Sequence, residues 1–274
     1  MMPGMAPLAA LMRAAHAVPA ASVTALVAAA TVARGASIGA LLLATLSTAA
    51  SQLSVGWSND YLDRDEDRAA IRLEKPLVAG RVAPATLWVG AWIAAAVCLG
   101  SAALLGPGPA AAMAAALAAA WGYNLGLKRT PLSWLPYAVA FGLAPVFVWL
   151  AADGRFPPAW VPAVTAALGI AGHLTNVLPD LERDRAVRAR GLPHLLGPTA
   201  SLISASVLLG GITALILARA GRLSPWAVAA GSGAAGFAIA VVVAGLGGRA
   251  RLAFLLTIAC AGAVVTTFLL TFRG

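Results

Sequence analysis

Runs of about twenty mostly apolar residues follow one another along this chain, near 16–33, 36–58, 83–105, 108–126, 131–151, 158–179, 197–218, 224–246 and 251–272. A helix needs roughly that length to cross about 30 Å of hydrocarbon. Backbone placed in lipid must satisfy its own hydrogen bonds, so each run is expected to be a helix rather than an open strand. The expected fold is therefore all-α: a polytopic membrane protein, one membrane-embedded domain over 1–274, with a bundle of about nine transmembrane helices.

Composition excludes the soluble alternative. The chain is 61% apolar and 11% charged, against roughly 25% charged in soluble domains. Gly and Ala saturate the spans, which lets helices approach closely where no hydrophobic force drives them together. The net charge of +9 does not make a nucleic-acid partner, because the basic residues sit in short loops between spans instead of forming a patch on a soluble fold. Cys98 and Cys260 lie alone in separate apolar runs and read as small packing residues. Arg13 precedes the first run with no signal-peptide cleavage pattern, so that run is expected to remain in the mature protein.

Charge also orients the bundle. With nine spans, Arg13, Arg64, Arg68, Arg72, Lys75, Arg81, Lys128, Arg129, Arg183, Arg185, Arg188, Arg190, Arg249 and Arg251 share one side, fourteen of the nineteen basic residues. By the positive-inside rule that face is cytoplasmic, in a plasma-membrane protein. The acids are more lopsided: of ten, only Asp153 lies outside the two loops 60–74 and 180–184, both on the basic side. Carboxylates at the ends of membrane helices are functional candidates. The second and sixth spans both end in an Asn/Asp cluster, which hints at an ancient duplication.

The first cluster reads Asn59-Asp60-Tyr61-Leu62-Asp63-Arg64-Asp65-Glu66-Asp67. If the second span's helix continues through it, Asn59, Asp63 and Asp67 stack at i, i+4 and i+8 on one face, with Asp60 a turn away. Asn176, Asp180 and Asp184 repeat the spacing. Carboxylates stacked this way repel one another unless a cation lies between them. Mg²⁺ suits the ligand set, since it is usually held by one or two carboxylates plus substrate phosphates. The implied substrate is a diphosphate whose charge the ion neutralises as it leaves. The bland alternative is a pair of solvated, Arg-paired interfacial loops.

The run NDYLDRDED resembles the NDxxDxxxD motif of the UbiA family of intramembrane prenyltransferases, and LEKPLVAG (73–80) is similar to the segment that follows it there. NVLPDLERD resembles the family's second acidic motif, and YNLGLKR resembles its Tyr-x-x-x-x-Lys element, placing Tyr123 and Lys128. The resemblance covers nearly the whole chain. It implies a helical bundle around a central cavity, with a prenyl diphosphate bound head-first through Mg²⁺ between the two acidic clusters and its tail among the helices. Ionisation would give an allylic cation that a lipophilic or amphipathic acceptor captures.

Carried over residue by residue, Asn59, Asp60, Asp63 and Asp67 form the first metal cluster and Asn176, Asp180 and Asp184 the second. The five aspartates Asp60, Asp63, Asp67, Asp180 and Asp184 are the implied catalytic set, and Lys128 contacts the diphosphate. Arg72 and Lys75 are either further diphosphate contacts or orientation charges. Tyr123 either faces the cation with its ring or anchors the helix at the interface. Val177 stands where members often carry Asp. The Asn-Asp-Tyr opening faintly resembles members that prenylate glycerol phosphates.

The three histidines are left out of the site. His173, one turn before Asn176, reads as a helix-packing residue, His16 as interfacial, and His194 as a residue of the cytoplasmic entrance. The eight Trp read mostly as span-end or lipid-facing residues. Two further activities share the same residues. Terpene cyclisation would ionise the diphosphate at the same metal site, and a cation-coupled transporter would use the carboxylates for ions. Transport sites usually lie near the bilayer midplane, whereas these acids sit at span ends. A phosphotransferase for nucleotide-linked alcohols would need an Asp-Gly…Ala-Arg lead-in that is missing before Asp180.

Overall fold

The structure, a computed structural model, describes residues 5–181 and 190–272. Among them the regular secondary structure is helical throughout. The helices are α1 (Met5–Ala14), α2 (Ala17–Ala33), α3 (Ile38–Leu62), α4 (Arg64–Ala69), α5 (Pro84–Leu104) and α6 (Pro107–Leu125). They are followed by α7 (Leu135–Asp153), α8 (Trp160–Asn176), α9 (Leu192–Ala218), α10 (Pro225–Leu246) and α11 (Ala250–Thr271). Every expected span has become a helix, and the short α1 and α4 lie between or before them.

Seven of these helices (α3, α5, α7, α8 with the turn that follows it, α9, α10 and α11) are long and apolar enough to cross a membrane, and the pair α1/α2 makes an eighth if its 76° bend is one broken span. The expected count of nine is thus approximate. The predicted span outside this set is α6, whose ends carry Pro107-Gly108-Pro109 and Trp121-Gly122-Tyr123-Asn124 in place of aliphatic residues. Large apolar side chains remain exposed on the long helices, Ile93, Val207 and Ile239 among them. A protein in water would bury such residues; one in lipid has no reason to.

Capping follows the local sequence. Ser37 and Ser224 precede α3 and α10 and accept the backbone N–H groups of Ala40 and Ala227 through their hydroxyls, at 3.2 and 3.1 Å. Each thus satisfies one of the donors that a helix start leaves open. Pro84 and Pro225 occupy first-turn positions, where the missing N–H costs nothing.

The chain falls into two compact units. The first comprises residues up to Leu125 together with Phe147–Gly154. Its centre is the α3–α5 pair, whose buried faces are built almost wholly of small residues: Ala44, Ser47, Ala50, Ser51 and Ser54 on α3, and Ala91, Ala94, Ala95, Cys98 and Ala102 on α5. Ser47 Oγ donates to the Cys98 carbonyl at 2.9 Å, one of the interhelical hydrogen bonds that close backbone approach allows. At Gly56 the approach is closer still, for a β-carbon there would lie 2.7 Å from Ala15 Cα.

The second unit comprises 126–146 and 155–274. Its core gathers Val164, Leu168 and Leu174 of α8, Leu209, Ile212 and Ile216 of α9, Ala234 and Ala238 of α10, and Cys260 and Val264 of α11. α9 contains a kink at Gly197, whose φ of 77° and ψ of 171° is open to glycine and strained for other residues, and Pro198 follows it.

Candidate functional site

The first acidic motif straddles the end of a membrane helix. α3 does not continue through it: Asp63, with φ −87° and ψ −1°, ends α3, and the short α4 starts again at Arg64. The i→i+4 backbone bonds nevertheless persist across the break, from Asp63 N–H to the Asn59 carbonyl at 3.0 Å and from Asp67 N–H to the Asp63 carbonyl at 2.8 Å. The expected single carboxylate face is therefore replaced by two groupings. In one, Asn59 Nδ2 donates to Asp63 Oδ2 at 3.0 Å. In the other, Asp60 and Asp67 converge on Lys75.

Lys75 Nζ stands 2.5 Å from Asp60 Oδ1 and 3.3 Å from Asp67 Oδ2. Arg72 Nη1 adds a contact to Asp67 Oδ1 at 3.2 Å, and its Nε reaches Glu74 Oε1 at 3.1 Å. A reversal of the chain makes this reach possible. Ile71 takes a left-handed φ of 53°, which is costly for a β-branched side chain. The turn it makes is closed by Arg72 N–H donating to the Asp67 carbonyl at 3.0 Å.

Asp60 (1% exposed), Asp67 (5%) and Lys75 (9%) are all buried. Burial pushes the Asp67 carboxyl above the usual carboxylate range; Lys75 and Arg72 pull it down and the Asp63 charge pushes it further up. For Lys75 burial acts downward, yet the charges of Asp60 and Asp67 outweigh it and hold the ammonium above its ordinary value. Asp60 also meets His16, whose Nε2 is 3.6 Å from Oδ1. His16 sits at the α1/α2 bend with a left-handed φ of 52°. Its side chain is half-exposed. No sequence spacing announces its contact with Asp60.

A second participant lies in the fourth span. Asn124, buried beside the expected Tyr123, donates from Nδ2 to Ser58 Oγ and to the Val55 carbonyl, both at 2.9 Å. Its Oδ1 accepts from Asn59 Nδ2 at 3.3 Å. It thereby fixes the amide that opens the motif. An Asn at the end of an apolar run was the signal available for it. Tyr123 itself is half-buried at the end of α6. Around Tyr61 the rings of Trp88, Trp92 and Trp121 form a continuous cluster, beginning with Tyr61 stacked on Trp88 at 4.6 Å. Arg64 lies over the Tyr61 ring at 4.5 Å.

In the second unit Asn176 is the last residue of α8, and the chain then tightens into a 3₁₀ turn, Leu178–Asp180, closed by Asp180 N–H to the Val177 carbonyl at 3.1 Å. Here too the expected continuous helix gives way, and Pro179 supplies the reason, since it carries no N–H for an α-helical bond. Asn176 Nδ2 donates to the Tyr137 hydroxyl at 3.2 Å. Val177 is the residue that caps α8. Lys128 lies half-buried in a 3₁₀ turn, Leu127–Arg129. Asp184 lies outside the described residues.

His173 is a packing residue, as its place in the helix suggested, but a specific one. Ser133 Oγ is 2.9 Å from His173 Nε2 and accepts the Leu192 N–H at 2.8 Å, while the Tyr137 ring lies 4.8 Å from the imidazole. This network ties the start of α7, the end of α8 and the start of α9 together. Gly191 completes it, since a β-carbon there would come within 2.7 Å of the Lys128 carbonyl. The sequence separation of Ser133, His173 and Leu192 hides the network from any local pattern.

Among the described residues no three His, Cys, Asp or Glu side chains gather in metal-holding range. The donor chemistry of the first motif still fits Mg²⁺. Asp60 Oδ2 is buried and takes no hydrogen bond, which leaves a carboxylate oxygen short of a partner. An ion that keeps waters and takes substrate phosphates needs only one or two such carboxylates.

Residues 20–252 match the model of the UbiA prenyltransferase family. No curated protein sequence matches the chain. Among solved structures, a UbiA homolog from Aeropyrum pernix K1 in its apo form is 22% identical, covers 89% of this chain and 94% of its own, and superposes with a TM-score of 0.72. A UbiA homolog from Archaeoglobus fulgidus bound to GPP and Mg²⁺ is 20% identical over 93% of this chain and 99% of its own, with a TM-score of 0.67. A digeranylgeranylglyceryl phosphate synthase is 14% identical over 98% and 99%, also with a TM-score of 0.67. Such likenesses carry the fold, and the family match, which extends over most of the length, carries the rest: the chain belongs to the UbiA prenyltransferase family.

Proposed function

We propose that the chain is a Mg²⁺-dependent intramembrane prenyltransferase that moves an isoprenoid chain from a prenyl diphosphate to a lipophilic or amphipathic acceptor. The observation that carries this reading is the first motif's geometry. Two buried carboxylates, Asp60 and Asp67, converge at the end of a membrane helix with Lys75 and Arg72, and one carboxylate oxygen takes no hydrogen bond. An acidic, partly satisfied cluster beside fixed cations suits a diphosphate that arrives with a divalent ion. The homolog bound to GPP and Mg²⁺ supports the same ligand class.

In this reading Asn59, Asp60, Asp63 and Asp67 hold Mg²⁺ in the first motif, and Asn176, Asp180 and Asp184 do so in the second. When bound, the ion neutralises charge on the departing diphosphate. Lys75, Arg72 and Lys128 present cations to the phosphate oxygens. Asn124 keeps the Asn59 amide aimed, and Tyr137 does the same for Asn176. The bond between prenyl C1 and the diphosphate oxygen breaks with its electron pair on the diphosphate. A nucleophilic atom of the acceptor then closes on C1 and loses its proton. Tyr123 faces the developing cation with its ring. The acceptor is an aromatic or quinone precursor or a phosphate-bearing alcohol. The excess of basic residues in these loops supports a cytoplasmic face for this chemistry, in a plasma-membrane protein.

The test is diphosphate release from C10 to C20 prenyl diphosphates by the purified protein, with and without Mg²⁺ and a panel of acceptors, beside Asp63→Ala and Asp180→Ala. Release that requires both Mg²⁺ and an acceptor, and that drops at least a hundredfold in each variant, is the expected result. Release without acceptor together with a cyclic product would replace transfer by cyclisation. Ion flux in sealed vesicles without release would replace both by transport.

A further inference from the structure

From residue 185 onward the chain contains no Asp or Glu, yet the hairpin between α10 and α11 carries Arg249 and Arg251. The turn is tight because Gly248 takes a left-handed φ of 74°, after which Arg249 leads into α11. Among the described residues neither guanidinium makes an ion pair or a hydrogen bond. The two helices leave a groove of about 430 Å³, lined by Ala240, Val243 and Ala244 of α10 and Leu252 and Leu256 of α11, with Arg249 on its margin. Val243 and Leu252 are exposed along it. The groove has a firm back wall, because Ala244 and Leu256 also pack in the cluster that holds Leu178, Leu202 and Ala253.

We propose that this groove is a binding site for one anionic phospholipid, with an acyl chain along the α10–α11 trough and the headgroup phosphate on Arg249. Both helices are long and apolar enough to lie in the bilayer, so an exposed apolar trough between them meets lipid. A guanidinium on the margin of that trough meets the headgroup level, where its planar fork matches phosphate oxygens. No carboxylate in the hairpin competes for it. A zwitterionic lipid would bring its own ammonium to the same place, so the anionic headgroup fits better.

The test is lipid retention by the purified full chain, delipidated in detergent and titrated with phosphatidylglycerol or phosphatidylcholine. Bound lipid is counted by native mass spectrometry with neither Mg²⁺ nor prenyl diphosphate present. The expected result is one phosphatidylglycerol retained at least tenfold more tightly than phosphatidylcholine. Arg249→Gln brings the two lipids to the same level, and Val243→Trp, which fills the trough, lowers retention of both. Equal retention of the two lipids by the unaltered protein would overturn the site. So would undiminished phosphatidylglycerol retention in Arg249→Gln, or displacement of the lipid by millimolar inorganic phosphate. A concentration-dependent dimer abolished by Val243→Trp would assign the groove to a second copy of the chain and overturn it equally. If Val243→Trp does not elute as a monodisperse species, the comparison of Arg249→Gln with the unaltered protein still decides.

Discussion

Lys75 shows what one side chain does at the end of a membrane helix. Asp60 lies in the last turn of α3, where the helix dipole is negative and a buried carboxylate is disfavoured. Lys75 answers that charge at 2.5 Å and reaches Asp67 as well. Removing one partner of a buried ion pair strands the other, at a cost of about 3–5 kcal/mol. Lys75→Met is therefore expected to lower the midpoint of thermal unfolding in detergent by several degrees, with Lys75→Arg retaining most of it; an unchanged midpoint in the Met variant would remove the pair from the fold's support. Ile71 makes the opposite prediction. Its side chain is exposed and its backbone left-handed, so Ile71→Gly should raise stability by about 1 kcal/mol as the strain is released. If that variant binds prenyl diphosphate less well while melting higher, the strain serves to aim Arg72 and Lys75.

At the scale of elements, glycine decides how closely helices approach. Gly56 admits the α1/α2 bend against α3, with Ala15 Cα where a β-carbon would need 2.7 Å. The same bend carries His16 to Asp60. Gly56→Ala must push backbone rather than a flexible side chain, and overpacking of that kind costs about 1–3 kcal/mol. Gly210, inside α9, has nothing within 4 Å of its β position. Gly210→Ala should leave the melting midpoint unchanged or raise stability by up to about 1 kcal/mol. Melting the two variants side by side separates close packing from helix propensity, and equal effects would contradict the geometry.

At the scale of the whole molecule, ligand binding and folding stability are linked. A ligand that binds only the folded protein stabilises it by about 2.7 kcal/mol at a hundred times its dissociation constant. Geranyl diphosphate with Mg²⁺ should therefore raise the unfolding midpoint by several degrees, and a chelator should reverse the shift. Asp63→Ala should abolish it. A shift that is equal with and without Mg²⁺ would mean that the diphosphate binds without the metal ion.

Much of this protein is legible in its sequence. The apolar runs determine an all-helical membrane fold, because lipid leaves the backbone no other way to satisfy its hydrogen bonds. The near-absence of acids elsewhere marks the two acidic clusters as the candidate site, since carboxylates at span ends are costly and survive only with partners. Spacing along the chain goes no further than that. It suggested one helix through each acidic motif, and the structure breaks both, at Asp63 and after Asn176. It left Lys75 undecided between orientation and binding, and tertiary folding sets it between Asp60 and Asp67. It passes over Asn124, Ser133 and Tyr137 and reads His16 only as interfacial, yet all four reach the motif residues or the segments around them from positions far away in sequence. A repeating pattern reports only what lies within a turn or two of itself. Which side chains meet a motif from elsewhere is decided by how closely the small-residue faces let the helices pack.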